Sequence, residues 1–293
     1  MLTSSAPSAS PSSSPVASYP RGHRAAPFIK WAGGKSRLLS QIEPWLPASY
    51  NHYHEPFLGG GAMFFHLQPR TASLSDINPR LVETYRVIRD QPAQLIDRLA
   101  HHEARHNSQY FYEARTRFNG ARGMDSVDRA ALFIYLNKTC FNGLYRENRR
   151  GEFNVPLGSY AAPNVCDATG IEAASTALQG ADLKTEAFDA VLDRAASGDL
   201  VYFDPPYVPV SATSSFTSYV GGGFDANLQQ RLVSVFDELV RRGCHVLLSN
   251  SDTPVSRQLY SRFRVVGIQA GRSINTRADR RGAIGEILVV GGV

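Results

Sequence analysis

Asp204-Pro205-Pro206-Tyr207 is the segment whose residue types and spacing could do chemistry. It follows directly on the apolar run Leu200–Phe203, which reads as a buried strand. In open α/β sheets ligands bind beyond the carboxyl ends of strands, so the tetrapeptide falls where a substrate would sit. Its parts suit a planar aromatic amine, whose lone pair is delocalised into the ring and which is therefore a poor nucleophile. Asp204 can accept one N–H of such an amine, and the Pro205 carbonyl can accept the other. Two acceptors push electron density onto the nitrogen as it attacks. The consecutive prolines, Pro205 and Pro206, stiffen the loop. Tyr207 offers a face for stacking on the ring, worth ~1–3 kcal/mol. The three cysteines, Cys140, Cys166 and Cys244, are remote from this segment. Direct attack by the nitrogen, with no covalent enzyme intermediate, is the expected course.

Two glycine clusters lie upstream. Glu55-Pro56-Phe57-Leu58-Gly59-Gly60-Gly61 follows a strand and precedes a helix, so its glycines let the backbone approach a ligand closely. Asp76 ends the next strand, where an acid can hold ribose hydroxyls. Trp31-Ala32-Gly33-Gly34-Lys35 offers backbone amides and a lysine to a carboxylate at a helix start. It is not a phosphate-binding P-loop, because that motif would need Gly where Ile29 stands.

Alternating strands and helices must position these residues. Strands are expected over 52–57, 72–75, Ala181–Thr185, Leu200–Phe203, 244–249, 264–268 and 284–290. Helices are expected over Ala62–Leu67, 78–90 and 225–242, the last with Leu228, Leu232, Val235, Phe236 and Leu239 on one face. Several strands are apolar on both faces, as parallel strands covered by helices are. Between residues 91 and 138 the spacings of Leu95 and Leu99, and of Ala131, Phe133 and Ile134, suggest short amphipathic helices. The fold expected is α/β, a doubly wound and mostly parallel sheet interrupted by a helical insertion.

Apolar residues make up 43% of the 293, enough for an ordinary core. No apolar run reaches the ~18 residues of a membrane span. The cysteines show no paired spacing, which argues against a disulfide framework or zinc site and for a reducing, cytoplasmic setting. Net charge is +5 and the pI about 9.2, a mild sign of a polyanionic partner. The basic residues cluster, Lys138, Arg146, Arg149 and Arg150 in one stretch and Arg272, Arg277, Arg280 and Arg281 in another. The Ser, Pro and Ala residues of the first 26 positions cannot bury enough surface to order themselves.

The segments FIKWAGGKSRLL, EPFLGGGAMF, LSDIN, FNGLYRENRRGEFNVPLG and YFDPPYVPVSATSSFTSY are similar to motifs of the Dam-type DNA adenine-N6 methyltransferases. In that group cofactor motifs come first, the recognition domain second and DPPY last, and the likeness runs from Pro27 to Val290. It implies a Rossmann-like methyltransferase sheet with an inserted helical and β-hairpin DNA-recognition domain. It divides the chain into a tail (1–26), a catalytic domain (27–85 and 166–293) and a target recognition domain (86–165). It implies S-adenosylmethionine as cofactor, held by Trp31, Gly33, Gly34, Lys35, Glu55, Phe57, Gly59, Gly61, Asp76 and Asp204, with Ile77 and Phe188 sandwiching its adenine. It implies double-stranded DNA as partner, a flipped-out adenine as target, no metal, and room for a cognate restriction endonuclease. Phe141-Asn142-Gly143-Leu144 becomes the turn of the recognition hairpin. By resemblance Arg146 reads the outer guanine of GATC, Asn142 lies near the partner of the flipped base, Pro156 touches a thymine methyl, and Lys30 contacts the site. Lys138, Arg149 and Arg150 are expected on phosphates. Glu147 departs from the family pattern, and an acid near phosphate would oppose binding. Two other readings are a methyltransferase acting on RNA or a protein amide, which more often carries NPPY, and a DNA-binding regulator on a decayed scaffold. Intact Lys35, Asp76, Asp204 and Tyr207 argue against the latter.

Overall fold

A computed structural model describes residues 24–120, 123–208, 224–269 and 285–292. Most of the tail, most of the long Ser/Thr/Gly loop from Val208 to Phe224, whose length and composition lead to the expectation of a lid over the target base, and the basic cluster from Arg272 to Arg281 lie outside them. In chain order the elements are α1 (Leu39–Ile42), β1 (Tyr53–Glu55), α2 (Ala62–Leu67), β2 (Ala72–Asp76) and α3 (Pro79–Asp90). Then come α4 (Pro92–Ala104), α5 (Ser108–Asn119), α6 (Ser126–Thr139) and α7 (Ala168–Leu178). The chain continues through β3 (Ala181–Thr185), β4 (Leu200–Phe203), α8 (Ala226–Arg241), β5 (His245–Ser251), α9 (Pro254–Leu259), β6 (Arg264–Gln269) and β7 (Gly285–Gly291).

The strands form one sheet in the order β3-β2-β1-β4-β5-β7-β6. Pairing is parallel from β3 to β5, and β7 runs antiparallel to both β5 and β6. The mostly parallel, doubly wound sheet is therefore present. β1 is shorter than expected because Pro56 has no N–H to continue the ladder, and the Leu58 N–H turns to the Ser75 carbonyl at 2.9 Å. β5 is longer than expected, and its polar end Ser249-Asn250-Ser251 stays in register with β7.

Along β4 the side chains alternate between two cores. Leu200 and Tyr202 face one and Val201 and Phe203 the other, as the two-residue period of a strand requires. The second core is closed by α8 through Leu232, Val235, Phe236 and Leu239, while Leu228 is only partly covered. The first core runs without a break from Tyr53, Phe64 and Leu74 on the sheet side to Phe111, Phe133 and Phe153 of the insertion. From Ala130 to Leu136 α6 is apolar and buried all round, and α3, α4 and α5 all pack on the helix. α3, started by Pro79 and by the Asn78 carboxamide accepting from the Arg80 and Leu81 N–H groups, runs unbroken across residue 85.

Candidate active site

Strand order reverses between β1 and β4, and the chain leaves these neighbours in opposite directions. A cleft of about 830 Å³ opens at their carboxyl ends, the place such topology makes for a ligand. Asp204, the first residue after β4, lines it together with Glu55, the last residue of β1. Lys35 Nζ stands 2.9 Å from Asp204 Oδ1 and is 3% exposed. It also donates to the Gly33 carbonyl and lies 4.7 Å from the Tyr207 ring centre. Lys35, expected at a ligand carboxylate, thus pairs with Asp204, as a cation this buried needs a counter-charge. Burial pushes the Asp204 carboxyl above its usual range, and the Lys35 charge pulls it back.

The rest of the tetrapeptide is pinned from several sides. Tyr207 donates its hydroxyl hydrogen to Glu286 Oε2 at 2.6 Å. Gln229 Nε2 donates to the Pro206 carbonyl at 3.3 Å, the Val208 N–H to Asn250 Oδ1 at 3.1 Å, and Ser251 Oγ to the Val208 carbonyl at 2.7 Å. Glu286, Gln229, Asn250 and Ser251 were not singled out in the sequence. The one signal was the Ser-Asn-Ser end of the apolar run in β5, which places polar side chains at the edge of the sheet where ligands bind.

Across the cleft the glycine turn and Asp76 form a cradle. Gly59 has φ +47°, and a methyl there would stand 2.8 Å from Trp31 Cδ1. At Gly61, φ is +65° and a methyl would meet the Tyr85 hydroxyl at 2.8 Å. Only glycine suits such crowded, left-handed positions. Asp76 accepts the Gly59 N–H on Oδ2 at 3.0 Å and the Asn78 N–H on Oδ1 at 2.9 Å. Burial raises its pKa and these backbone donors oppose the rise. Phe57 stacks on Phe188 with centroids 5.3 Å apart. Ile77, 62% exposed, lines the same cleft as Phe188, Gly33 and Gly34. Glu55 is buried, accepting from the Tyr53 hydroxyl at 2.7 Å and the Phe64 N–H at 3.1 Å. Burial, with Asp204 nearby, pushes it up to about 8, against the donors that hold it down.

A hairpin stands on the insertion beside the cleft. Its arms pair at Cys140 with Leu157 and at Glu147 with Phe153. The apex is Asn148 to Gly151, closed by the Gly151 N–H on the Asn148 carbonyl at 2.9 Å. This corrects the expectation that Phe141-Asn142-Gly143-Leu144 makes the hairpin turn. Asn142 (φ 55°) and Gly143 (φ 64°) do turn the chain, but they end α6 and lead into the first arm. Phe141 (50% exposed) and Leu144 (36%) present apolar surface there, with Asn142 exposed between them. Arg146 is exposed and donates its Nε to Asn154 Oδ1 at 2.7 Å. Arg149 and Arg150 are exposed at the apex, Pro156 is exposed on the second arm, and Lys138 is half-buried. Burial lowers the Lys138 pKa, with Asp167 and Glu103 acting the other way. Glu147 points inward rather than at a phosphate. It pairs with Arg80 at 3.4 Å and accepts from the Tyr145 hydroxyl. Lys30 lies 4.0 Å from the Tyr160 ring centre. Trp31 stacks on Tyr145 at 5.5 Å, joining the cleft to the hairpin.

Among the described residues no group of three or more His, Cys, Asp or Glu is placed to hold a metal. None of their helices is long and apolar enough to cross a membrane.

A switch-point cleft with an acid-Pro-Pro-Tyr rim, on a sheet whose last strand is antiparallel, defines a Rossmann-like methyltransferase. The sequence model of the D12 class N6 adenine-specific DNA methyltransferases matches residues 31–274, and the chain belongs to that family. It is 42% identical over 267 residues to the Type II methyltransferase M1.LlaDCHI of Lactococcus lactis subsp. cremoris, covering 90% of this chain and 94% of the relative. It is 38% identical over 283 residues to the Type II methyltransferase M.MjaIII of Methanocaldococcus jannaschii, covering 90% and 98%. To the DNA adenine methylase of Escherichia coli it is 36% identical over 266 residues, covering 90% and 94%. The chain is accordingly an enzyme, an adenine-specific DNA methyltransferase.

Proposed function

We propose that the chain methylates the N6 amine of an adenine flipped out of duplex DNA, within GATC, with S-adenosylmethionine as donor. The observation that carries the chemistry is Asp204 at the carboxyl end of β4, lining the cleft with Pro205 beside it. The cofactor fits the residues present. A cleft of nucleoside size has a backbone cradle at Gly59, an acid at Asp76 for ribose hydroxyls, and Phe188 and Ile77 on its walls. Trp31, Gly33, Gly34, Lys35, Glu55, Phe57 and Gly61 complete that enclosure. When bound, the cofactor supplies an electrophilic methyl group.

The chain's own residues do the rest. Asp204 and the Pro205 carbonyl accept the two N–H bonds of the adenine amine and turn its lone pair out of the ring. With the donor bound, the amine nitrogen would form its bond to the methyl carbon as the methyl–sulfur bond breaks and leaves its electron pair on sulfur, and one amine proton would leave to solvent by way of its acceptor. Lys35 holds Asp204 in place and favours its charged form against the burial that opposes it. Tyr207, tied to Glu286, gives the flipped ring a stacking face, against the few kcal/mol that flipping costs.

GATC rests on the hairpin. With Nε on Asn154, Arg146 keeps both terminal amino groups for the O6 and N7 acceptors of a guanine. Phe141 and Leu144 wedge into the stack, Asn142 stands at the partner of the flipped base, Pro156 meets a thymine methyl, and Lys30 approaches from the cofactor side. Arg149 and Arg150, with Lys138 beside them, contact phosphates. The test is one incubation with labelled S-adenosylmethionine and paired duplexes differing only in a GATC site, followed by nucleoside analysis. Labelled N6-methyladenine in the GATC duplex alone is expected, with turnover nearly abolished in Asp204→Ala. Methylation indifferent to the site sinks the specificity, and normal turnover in Asp204→Ala sinks the chemistry.

A further inference from the structure

Asn137 lies in the last turn of α6 and is 1% exposed. Its carboxamide makes three hydrogen bonds. Oδ1 accepts the Lys30 N–H at 2.9 Å, and Nδ2 donates to the Lys30 carbonyl at 2.8 Å and to the Gly143 carbonyl at 3.0 Å. Both backbone groups of Lys30 are held by one side chain, which also holds the turn that presents Phe141 and Leu144.

Packing fastens the same joint. A methyl on Gly143 would stand 2.5 Å from Cβ and Cδ of Lys30, so the lysine stem lies directly on the turn. One residue past Lys30 and two past Gly143, Trp31 stacks on Tyr145 with 22° between the rings. α6, which carries Asn137, is enclosed by its neighbours and gives the joint a firm base. Moving the turn by an ångström must move Lys30 and Trp31 with it, or leave buried polar groups without partners, which is costly.

We infer that Asn137 is a positioning residue that couples occupancy of the cofactor cleft to engagement of DNA by the hairpin. By joining Lys30 to Gly143 it makes the arrangement that grips the cofactor the same one that presents the recognition turn. The inference rests on the reading proposed above for cleft and hairpin. Coupling of this kind is reciprocal, so each ligand tightens the other by one factor.

The experiment is calorimetric titration of S-adenosylhomocysteine into the full chain, with and without a GATC duplex. In the wild type the duplex should tighten the analogue about tenfold, within the usual range for coupled sites. In Asn137→Ala that ratio should fall to about one while each ligand alone still binds. A folded Asn137→Ala protein with the wild-type ratio overturns the inference, as does a wild-type ratio of one. Wild-type protein that binds no analogue at all overturns the reading of the cleft itself, and the inference with it. Amide exchange on the wild type needs no variant. The analogue alone should slow exchange at Gly143 and Leu144, whose N–H groups bond to Cys140 and Phe141 carbonyls. Unchanged exchange there overturns the coupling even if Asn137→Ala does not fold.

Discussion

Glu286 touches no expected ligand, yet it holds the hydroxyl of Tyr207, the residue proposed above to stack on the target base. A hydrogen bond to a charged acceptor contributes about 1.5–3 kcal/mol, enough to fix the angle of the Tyr207 ring. Glu286→Ala should raise KM for duplex roughly tenfold on that scale and dim the emission of 2-aminopurine placed at the target position. Glu286→Gln, which keeps an accepting oxygen, should recover most of both. Emission and KM unchanged in the alanine variant would make the bond idle. Glu55 permits a second test, from pH. Its native pKa is about 8 against an ordinary 4.5. Between those values the native state holds a proton that the unfolded chain has released, so this group's contribution to stability falls as pH rises, by up to ~1.4 kcal/mol per unit. Glu55→Gln cannot titrate. The melting temperature of the variant minus that of the wild type should therefore climb from pH 5 to pH 8, and a difference that is flat in pH would show that burial does not protonate Glu55.

At the level of elements, the strands were legible where apolar runs meet strong boundaries. β3 and β4 occupy the expected residues, as does α2 behind its glycines. The hairpin was legible as residues but not as geometry. Asn142-Gly143 is a strong turn signal and takes left-handed conformations, but that turn serves the exit from α6. The reversal falls to Asn148 and Gly151, whose signal is diluted by the arginines between them. The facing of Glu147 was not legible either. Its partner Arg80 is 67 residues away, and only the folded insertion brings α3 beside the arm. On the opposite face of that arm, Asn154 aims Arg146. Arg146→Ala should cost ~1–3 kcal/mol of discrimination at the first base pair of GATC. Asn154→Ala should cost part of that and leave binding to unrelated duplex unchanged. Arg149→Ala should instead weaken all duplexes and shallow the salt dependence by about one unit of slope. Competition binding at two salt concentrations separates the two behaviours. An Asn154→Ala protein that loses affinity for every duplex equally would show that Asn154 supports the fold of the arm, not the aim of its arginine.

Among the described residues one of the two cores runs from the sheet into the helical insertion, and that continuity decides how the molecule comes apart. Chains of this size commonly unfold in steps, domain by domain. Here α3 serves both parts. Its Tyr85 donates to the Gly59 carbonyl at 3.1 Å on the cleft side, and the helix packs on β2, β3 and α7 as well as on α4 and α6 of the insertion. Pulling α3 away with the insertion would part Tyr85 from Phe28, which meets its ring edge-on, and from Phe65, which stacks on it. Each aromatic pair contributes ~0.5–1.5 kcal/mol beyond its buried area. The ion pair between Arg80 and Glu147 is partly exposed and on the scale of such pairs contributes ~0–1 kcal/mol, so it is not what holds the parts together. The two tryptophans report from the two ends. Trp31 stacks on Tyr145 at the hairpin joint, and Trp45 lies under the Arg264 guanidinium of β6 at 4.4 Å. Trp31→Phe and Trp45→Phe leave one reporter each. Followed by fluorescence during thermal unfolding, the two variants should give midpoints that coincide with their own far-ultraviolet circular dichroism, as one cooperative unit requires. A Trp31 signal lost well below the Trp45 signal would mean that the insertion melts on its own and that the shared core does not bind the halves into one folding unit.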